Sequence, residues 1–559
     1  MNNELVHLRM FRALILVGPI ATLAVSPVSN FDPINLIKIL FISTFSFFCF
    51  GILISTFNYS FNKLSNFFWL ACAAFTLSLI STLVFSGAPR AQQFWGSFGR
   101  NTGFLAYFSL LIILVASAVI QNRVFYTSLI KSLVFTSIPI AIYCLIQMAG
   151  LDPVRWSAYD TFATLGNVNF LSAFLGMAAL AAITISLDKK LSKTLRMALL
   201  ILSLVSLVII ISTNSIQGPL IFAAGLGISV LLYLRSSEKL RMLTIPFSLL
   251  GVTGFALSLA GLFNKGPLAS VIFQPSVIYR ADYMHAGWKM TVDHPFFGVG
   301  LDSFGDWYRQ SRGLLSTVRT GPDRTANTAH NIFLDISSNG GLPLIISYLC
   351  LLTFAFFGAI KYLRSNKQFD PYFVAIFSVW CAYQIQACVS INQVGVGVWG
   401  WLFTGALIGY RKTSPISSAS NAIKLKTKRK KTTNVLPASV GLSVGVTTIC
   451  GIILAFIPLN ADRIYMSASN ARDLNRMMSA SKLLGATPWH LSQVIQSAMT
   501  NNYLAQATEI NNLLLKDYPR DFYGWKVKYY ISTSTPAEKT NALAELHQLD
   551  PFNPDVPKS

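Results

Sequence analysis

The 559-residue chain has few charged residues: they make up 12% of it, about half the share of a typical soluble domain. Hydrophobic residues reach 53%, and the mean hydropathy is +0.53. A chain of this composition cannot cover itself with polar surface in water, so most of it must face lipid. The composition therefore excludes a string of soluble domains, which the length alone would suggest.

Acidic residues and cysteines are also scarce. The 22 Asp and Glu residues stand against 44 Lys and Arg residues, which gives a formal net charge of +22. In a soluble protein this excess would suggest nucleic-acid binding, whereas in a membrane protein it is typical of basic cytoplasmic loops. The seven cysteines lie in apolar runs without a closely spaced zinc pattern, which predicts small packing residues and no disulfide framework.

Apolar runs long enough to cross a bilayer recur along most of the chain. They predict an all-α fold, a polytopic transmembrane bundle of about 12 core spans plus one extra span. The first run lacks a convincing cleavage site and more spans follow at once, which favours a retained helix over a signal peptide. We place the spans at 11–28, 34–57, 67–86, 103–120, 126–149, 168–187, 197–213, 215–234, 243–263, 341–362, 372–392, 394–410 and 436–458.

The basic residues predict the orientation of the bundle. Lys and Arg are concentrated in alternate connections, which should face the cytoplasm. This places the N-terminus in the cytoplasm and two polar segments, a long loop and a C-terminal tail, on the opposite side of the membrane. The densest basic cluster, Lys424–Lys431, is predicted to be a topology-fixing loop near anionic lipid, and no nucleic-acid partner is expected.

The tail differs from the rest of the chain because its apolar residues recur at helical spacing. Pro519 and Pro551 lie in similar junctions 32 residues apart, close to the tetratricopeptide period of 34 residues. We predict a small tetratricopeptide-like helical tail; a nondescript helical domain is the alternative. Either would suit a binding or docking module. The predicted division is 1–412 membrane core with an outer loop at about 264–340, 413–435 basic cytoplasmic linker, 436–458 additional transmembrane helix, and 459–559 extracytoplasmic tail.

Polar and titratable residues gather in the outer loop. Gly340, Gly341 and Pro343 should break any helix that begins near His330, leaving a short helix at the membrane face before the next span. The loop motifs are Arg280 with Trp288, Asp293-His294-Pro295 with Gly298, Gly300 and Phe304, and His330-Asn331 with Gly340-Gly341. Upstream outer connections hold Gly99-Arg100 with Gly103, and Gly166-Asn167-Val168-Asn169.

In order and topology, these motifs resemble the signature of the O-antigen ligase and polymerase superfamily, a group of polytopic membrane glycan transferases. The resemblance covers about residues 1–412. One stretch departs from it, because many members carry Ser-Arg-Gly where this chain reads Thr213-Asn214-Ser215-Ile216-Gln217-Gly218. Any role played by that arginine is therefore in doubt.

The resemblance implies that a glycan is transferred from a polyprenyl-diphosphate carrier to an acceptor hydroxyl on the outer face of the bacterial inner (plasma) membrane. It also implies direct displacement with inversion, without a covalent enzyme intermediate. A diphosphate leaving group suits arginine, which binds phosphate oxygens bidentately; Arg280 is the first candidate and Arg100 the second, ahead of Arg319 and Arg324. His330 is the expected general base, because the pKa of histidine normally lies near ambient pH.

Further substrate-binding residues implied by the resemblance are Arg100, Asn167, Asn169, Asn331 and Trp288. No cofactor or metal is expected, since the loop carboxylates do not form a compact ligand cluster. Expected partners are the lipid-linked donor, a glycan, lipid or protein acceptor, membrane lipids, and a protein bound through the tail.

Each assignment has a structural alternative. Arg280 would pair with Asp282 or lipid headgroups, and Arg100 would anchor the chain at the interface. His330 would cap a helix or hold the loop. Asn167 and Asn169 would also be helix caps, and Trp288 would belong to an aromatic belt.

Alternative functions also stay open at this point. Within the same class they are a polysaccharide polymerase and a protein O-oligosaccharyltransferase. A transporter of lipid-linked sugars is a further alternative, but it should place ionisable residues in the middle of the membrane. The last alternative is a non-catalytic scaffold that uses the tail as a receptor.

Overall fold

The structure, a computed structural model, describes residues 3–154, 156, 160–412 and 438–558. These residues form helices and connecting loops with no β-strand, which confirms the predicted all-α class. The predicted linker at 413–435, with the cluster Lys424–Lys431, lies outside the described residues. The membrane-core helices are α1 Asn3–Leu23, α2 Asn35–Ser55, α3 Phe57–Phe61, α4 Asn66–Phe85, α5 Arg90–Trp95, α6 Phe104–Ile120, α7 Arg123–Met148, α8 Val168–Ser186, α9 Lys193–Ser212, α10 Gln217–Ser236, α11 Thr244–Leu262, α12 Ala269–Ile272, α13 Pro275–Asp293, α14 Phe304–Ser311, α15 Leu314–Thr320, α16 Ile332–Ser365, α17 Pro371–Ala387 and α18 Val394–Tyr410. After them come α19 Ala438–Asn470, α20 Leu474–Ser481, α21 Pro488–Thr500, α22 Leu504–Asp517, α23 Phe522–Tyr530 and α24 Pro536–Leu549.

Every predicted span coincides with a helix in the described part of the chain. Ten helices are long and apolar enough to cross a membrane: α1, α2, α4, α7, α8, α9, α10, α11, α16 and α19. The other three predicted spans correspond to α6, α17 and α18, which are 17 residues long. The chain is therefore a polytopic helical membrane protein.

Exposed apolar side chains show which surfaces face lipid. Only 6% of the apolar window of α11 is buried. Leu249, Val252 and Phe255 on this helix are 62–66% exposed. A contiguous apolar surface of this kind would cost too much free energy in water, whereas acyl chains accommodate it.

Helix α16 is broken where the sequence predicts a break. Gly341 has φ 74° and ψ −177°, which separates a nine-residue segment, 332–340, from the span that follows. A Cβ at this position would lie 2.6 Å from the backbone of Phe296, so the close approach requires glycine. The Leu342 N–H, freed by the break, donates to the carbonyl of Pro295 at 2.7 Å. The break therefore anchors the Asp293-His294-Pro295 block of the loop to the start of the span.

The additional helix α19 packs along α2, and the short helices α20–α24 each pack mainly against their neighbours in sequence. The tail is thus helical as predicted, while its likeness to tetratricopeptide repeats stays a prediction. Arg312 of the loop and Asp550 of the tail form an ion pair, with Nη2 and Oδ2 2.6 Å apart. The loop and the tail therefore lie on the same side of the membrane.

Candidate active site

A polar cavity of about 340 Å³ opens at the loop end of the bundle. Five of the seven residues predicted for the site line it: Arg100, Asn167, Asn169, Arg280 and His330. They come from three separate connections, from the first turn of α8 and from α13, so only the fold brings them together. Lining residues that sequence reasoning missed include Asp32, Asn35, Gln217, Asn327, Asn392 and Gln393.

Arg100 is held in place by an amide. Its Nε and Nη2 donate to Oδ1 of Asn327 at 3.1 and 2.9 Å. This partner is neutral, and the nearest carboxylates, Asp302, Asp335 and Asp32, act on Arg100 only through space, without an ion pair. Arg100 thus keeps its charge at the cavity wall, which differs from an interfacial anchor that extends into headgroups.

The segment that carries Arg100 is fastened by Asp302. One carboxylate oxygen accepts from the backbone N–H groups of Ser97 and Thr102 at 2.7 and 3.1 Å, and the other accepts from the Thr102 hydroxyl at 3.0 Å. A Cβ at Gly96 would lie 2.5 Å from the same carboxylate, so only glycine fits there. Asp302 follows the Asp293-His294-Pro295 block in the sequence. The block is therefore connected to the Arg100 segment indirectly, through Asp302.

Arg280 lies on α13, and its guanidinium makes no hydrogen bond or ion pair with any described residue. The predicted alternative, pairing with Asp282, is wrong because that carboxylate accepts from Nη1 of Arg319 at 3.0 and 2.9 Å. Arg319 is engaged in this ion pair with Asp282. Arg280 is therefore a second cation that no carboxylate neutralises.

His330 lies at the cavity with φ 52°, a left-handed conformation that is strained for a non-glycine residue. Its ring lies 5.2 Å from that of Tyr283. Burial, followed by the charges of Arg280 and Arg100, lowers the pKa of His330 to about 4. The pKa of His330 therefore lies below the expected ambient range, so its side chain is neutral at ambient pH.

Asn331 and Trp288, the other two predicted residues, do not line the cavity. Asn331 is the N-cap of α16: its Oδ1 accepts from Leu334 N–H at 3.1 Å, and its Nδ2 donates to the carbonyl of Cys388 at 3.0 Å. The capping role considered for His330 thus belongs to its neighbour. Trp288 is 61% exposed, as an interfacial aromatic residue would be.

The tail also contributes to the surroundings of the cavity. Trp489 of α21 stacks on Phe98, two residues before Arg100, with ring centroids 4.1 Å apart. Asp550 is fully buried between Arg309 and Arg312 of the loop. No sequence pattern pointed to these contacts, because each partner lies hundreds of residues from the other.

Metal ligands do not cluster in the described part of the chain, where no group of three or more His, Cys, Asp or Glu side chains is positioned to hold an ion. The buried carboxylates have other partners. Asp306, for example, accepts from Nε2 of Gln92 at 2.8 Å, and burial raises its pKa to about 7.

Part of the chain is similar to a known family. Residues 198–349 match the family model described as O-antigen ligase. This stretch is therefore similar to O-antigen ligases. The match runs from α9 into α16 and includes Gln217, Arg280 and His330, while Arg100 and the two asparagines before α8 lie outside it. No curated protein matches the chain.

The similarity to O-antigen ligases and the membrane helices together support a membrane ligase that transfers glycans. They also agree with the resemblance seen in the sequence motifs. Gln217 occupies the stretch in which this chain departs from the motif pattern, and it lines the same cavity as the predicted residues.

Proposed function

We propose that this protein transfers a glycan from a polyprenyl-diphosphate carrier to an acceptor hydroxyl in the cavity, on the outer face of the bacterial membrane. The observation that supports this most is the grouping of Arg100, Arg280 and His330 around one cavity, with no carboxylate paired to either arginine. The outer location follows from the distribution of basic residues.

The arginines would bind the diphosphate and stabilise the negative charge that develops as it leaves. Guanidinium groups match phosphate oxygens bidentately and stay charged. A preorganised charge of this kind beside the reacting atoms stabilises a transition state by about 3–4 kcal/mol, the scale measured for removal of one oxyanion donor.

In the proposed reaction the acceptor oxygen attacks the anomeric carbon while the bond from that carbon to the diphosphate oxygen breaks. The bonding electron pair leaves with the diphosphate, the proton of the hydroxyl passes to His330, and the configuration inverts. Because this is a direct displacement, no covalent bond to the enzyme forms.

The low pKa of His330 fits this role once the donor is considered. Two cations without an ion-pair partner contribute to it, and an anionic diphosphate would offset both. Donor binding should therefore raise the pKa of His330, so that the base becomes stronger only when its substrate is present.

His330→Ala and Arg280→Ala, each in a deletion strain, test the proposal. Surface glycan and lipid-linked donor are measured at matched protein levels, with His285→Ala as a control, since His285 is exposed and lies outside the cavity. We expect loss of surface glycan with accumulation of donor in the two site variants and normal levels in the control. Full activity of both site variants would refute the proposed site.

The same assay separates ligation from polymerisation. A ligase defect leaves full-length glycan on its carrier, whereas a polymerase defect leaves short repeats. The helical tail on the loop side favours ligation to a separate acceptor molecule.

A further inference from the structure

The wall of the cavity formed by the first turns of α8 and α10 is uncharged and carries amide side chains. We define the amide cluster as Asn167, Asn169 and Gln217, all of which line the cavity. Asn167 and Asn169 stand at the start of α8, and Gln217 is the first residue of α10. The Ser215 hydroxyl, which precedes α10, donates to Oδ1 of Asn169 at 2.8 Å and joins the two helix ends.

Hydrogen bonds within the protein occupy one end of each amide side chain and leave the other end without a partner among the described residues. Oδ1 of Asn167 accepts from the Asn169 N–H at 2.8 Å as an N-cap, and Oδ1 of Asn169 is occupied by Ser215. Each asparagine therefore has its Nδ2 donor available. Gln217 is arranged the other way round, since its Nε2 donates to the carbonyl of Val389 at 2.9 Å.

Among the three amides, the carbonyl oxygen of Gln217 gives the strongest indication of a bound ligand. Gln217 is 3% exposed, and its Oε1 is buried without a hydrogen-bond partner in the described structure. A buried polar atom without a partner costs about 1–3 kcal/mol, so such atoms usually mark a ligand or an ordered water. Here the atom belongs to a residue that lines a cavity large enough for a substrate.

We infer that the amide cluster is a binding subsite for an uncharged sugar, the first sugar of the donor glycan next to the diphosphate. Two donors and one acceptor in fixed orientations match sugar hydroxyl or acetamido groups, which offer both acceptors and donors. The cluster contains no cation, so it offers no charge complement to an acidic sugar. This inference rests on the proposed function, which places the diphosphate at Arg100 and Arg280.

Two lipid probes test the subsite in the purified full-length protein in nanodiscs. One is polyprenyl diphosphate without a sugar, and the other is polyprenyl diphosphate that carries a single N-acetylhexosamine. The variants are Asn167→Ser, Asn169→Ser and Gln217→Leu. Serine caps a helix as well as asparagine does, so Asn167→Ser removes the amide donor while the cap is kept.

Asn122→Ser is the matched control. Asn122 caps α7 through the same kind of bond, from Val124 N–H to Oδ1 at 2.8 Å, and lies outside the cavity. Each cluster variant should bind the sugar-bearing lipid about two- to tenfold more weakly, as expected for one uncharged hydrogen bond. Binding of the sugar-free lipid should change less than twofold, and the control should bind both lipids normally.

Arg280→Ala separates failure of the subsite from failure of the proposed function. It should weaken binding of both lipids, because both carry the diphosphate. If the cluster variants affect both lipids equally, or neither, the subsite is refuted. If Arg280→Ala leaves both affinities unchanged while the cluster variants remain selective, the diphosphate site is refuted and the sugar subsite stands.

Discussion

Two arginines at opposite ends of α6 have opposite surroundings. Arg123, just after the helix, contacts Asp370 with Nη2 and Oδ2 2.6 Å apart, and the same carboxylate accepts from the hydroxyls of Tyr362 and Tyr410 at 2.7 and 2.9 Å. Arg100, just before the helix, is held by the neutral amide of Asn327. One cation is paired with a carboxylate, whereas the other has an amide as its hydrogen-bond partner.

The difference indicates how a structural arginine is distinguished from one that binds a ligand. A carboxylate partner makes the guanidinium part of a neutral unit that connects helices α7 and α17. An amide partner leaves a positive charge on a cavity wall, where an anion would be favourable. Arg312 also pairs with a carboxylate, that of Asp550, whereas Arg280 has neither a carboxylate nor an amide partner among the described residues.

The largest effect should come from making the site arginine resemble the structural one. Asn327→Asp places a carboxylate against Arg100, which neutralises its charge and repels the diphosphate. We expect transfer to fall by at least about 100-fold, the scale for loss of one electrostatic contact to a transition state. Activity per folded molecule measures this, with Asn122→Asp, an asparagine outside the cavity, as the control. Near-normal transfer by Asn327→Asp would show that the charge of Arg100 is not used.

The reverse change removes the carboxylate partner of the structural arginine. It should lower the stability of the protein and leave glycan transfer unaffected. Asp370→Asn leaves Arg123 without its carboxylate, which for a largely buried pair costs about 3 kcal/mol. Unfolding of the purified protein in detergent should occur at lower temperature, while transfer by the folded fraction stays normal. The comparison fails if this variant is as stable as the wild type or loses transfer while folded.

The sequence predicted the membrane helices well because hydrophobicity over about 20 residues is a local property. The break at Gly341 was predictable for a similar reason, since glycine and proline act on the backbone where they stand. Partners were not predictable: whether Arg280 pairs with Asp282 depends on Arg319, which only the folded loop brings near.

The candidate site was also only partly predictable, because its contacts depend on the fold. The resemblance singled out Arg100, Arg280 and His330, which the fold gathers around one cavity. It also singled out Asn331 and Trp288, which lie outside it, and it gave no reason to choose Gln217. The role of a side chain here depends on its direction and its hydrogen bonds, which motif letters do not encode.

The smallest effect concerns the charge that Arg280 exerts on His330. Because no carboxylate neutralises Arg280, its charge contributes to the low pKa of His330, after burial and ahead of Arg100. Removal of that charge in Arg280→Gln should raise the pKa of His330. A general base must be neutral to act, so the rate falls as pH falls through its pKa.

The acidic limb of kcat/KM should therefore move to higher pH in Arg280→Gln, even though the absolute rate is lower. Arg319→Gln is the control, since Arg319 is paired with Asp282 and is not among the charges that lower the pKa of His330. A histidine NMR titration of both variants gives the same quantity without relying on residual activity. The acidic limb of kcat/KM and the NMR titration of His330 could instead be the same in Arg280→Gln as in the wild type. In that case the charge of Arg280 does not act on His330, and the contrast between paired and unpaired arginines has no bearing on the proposed base.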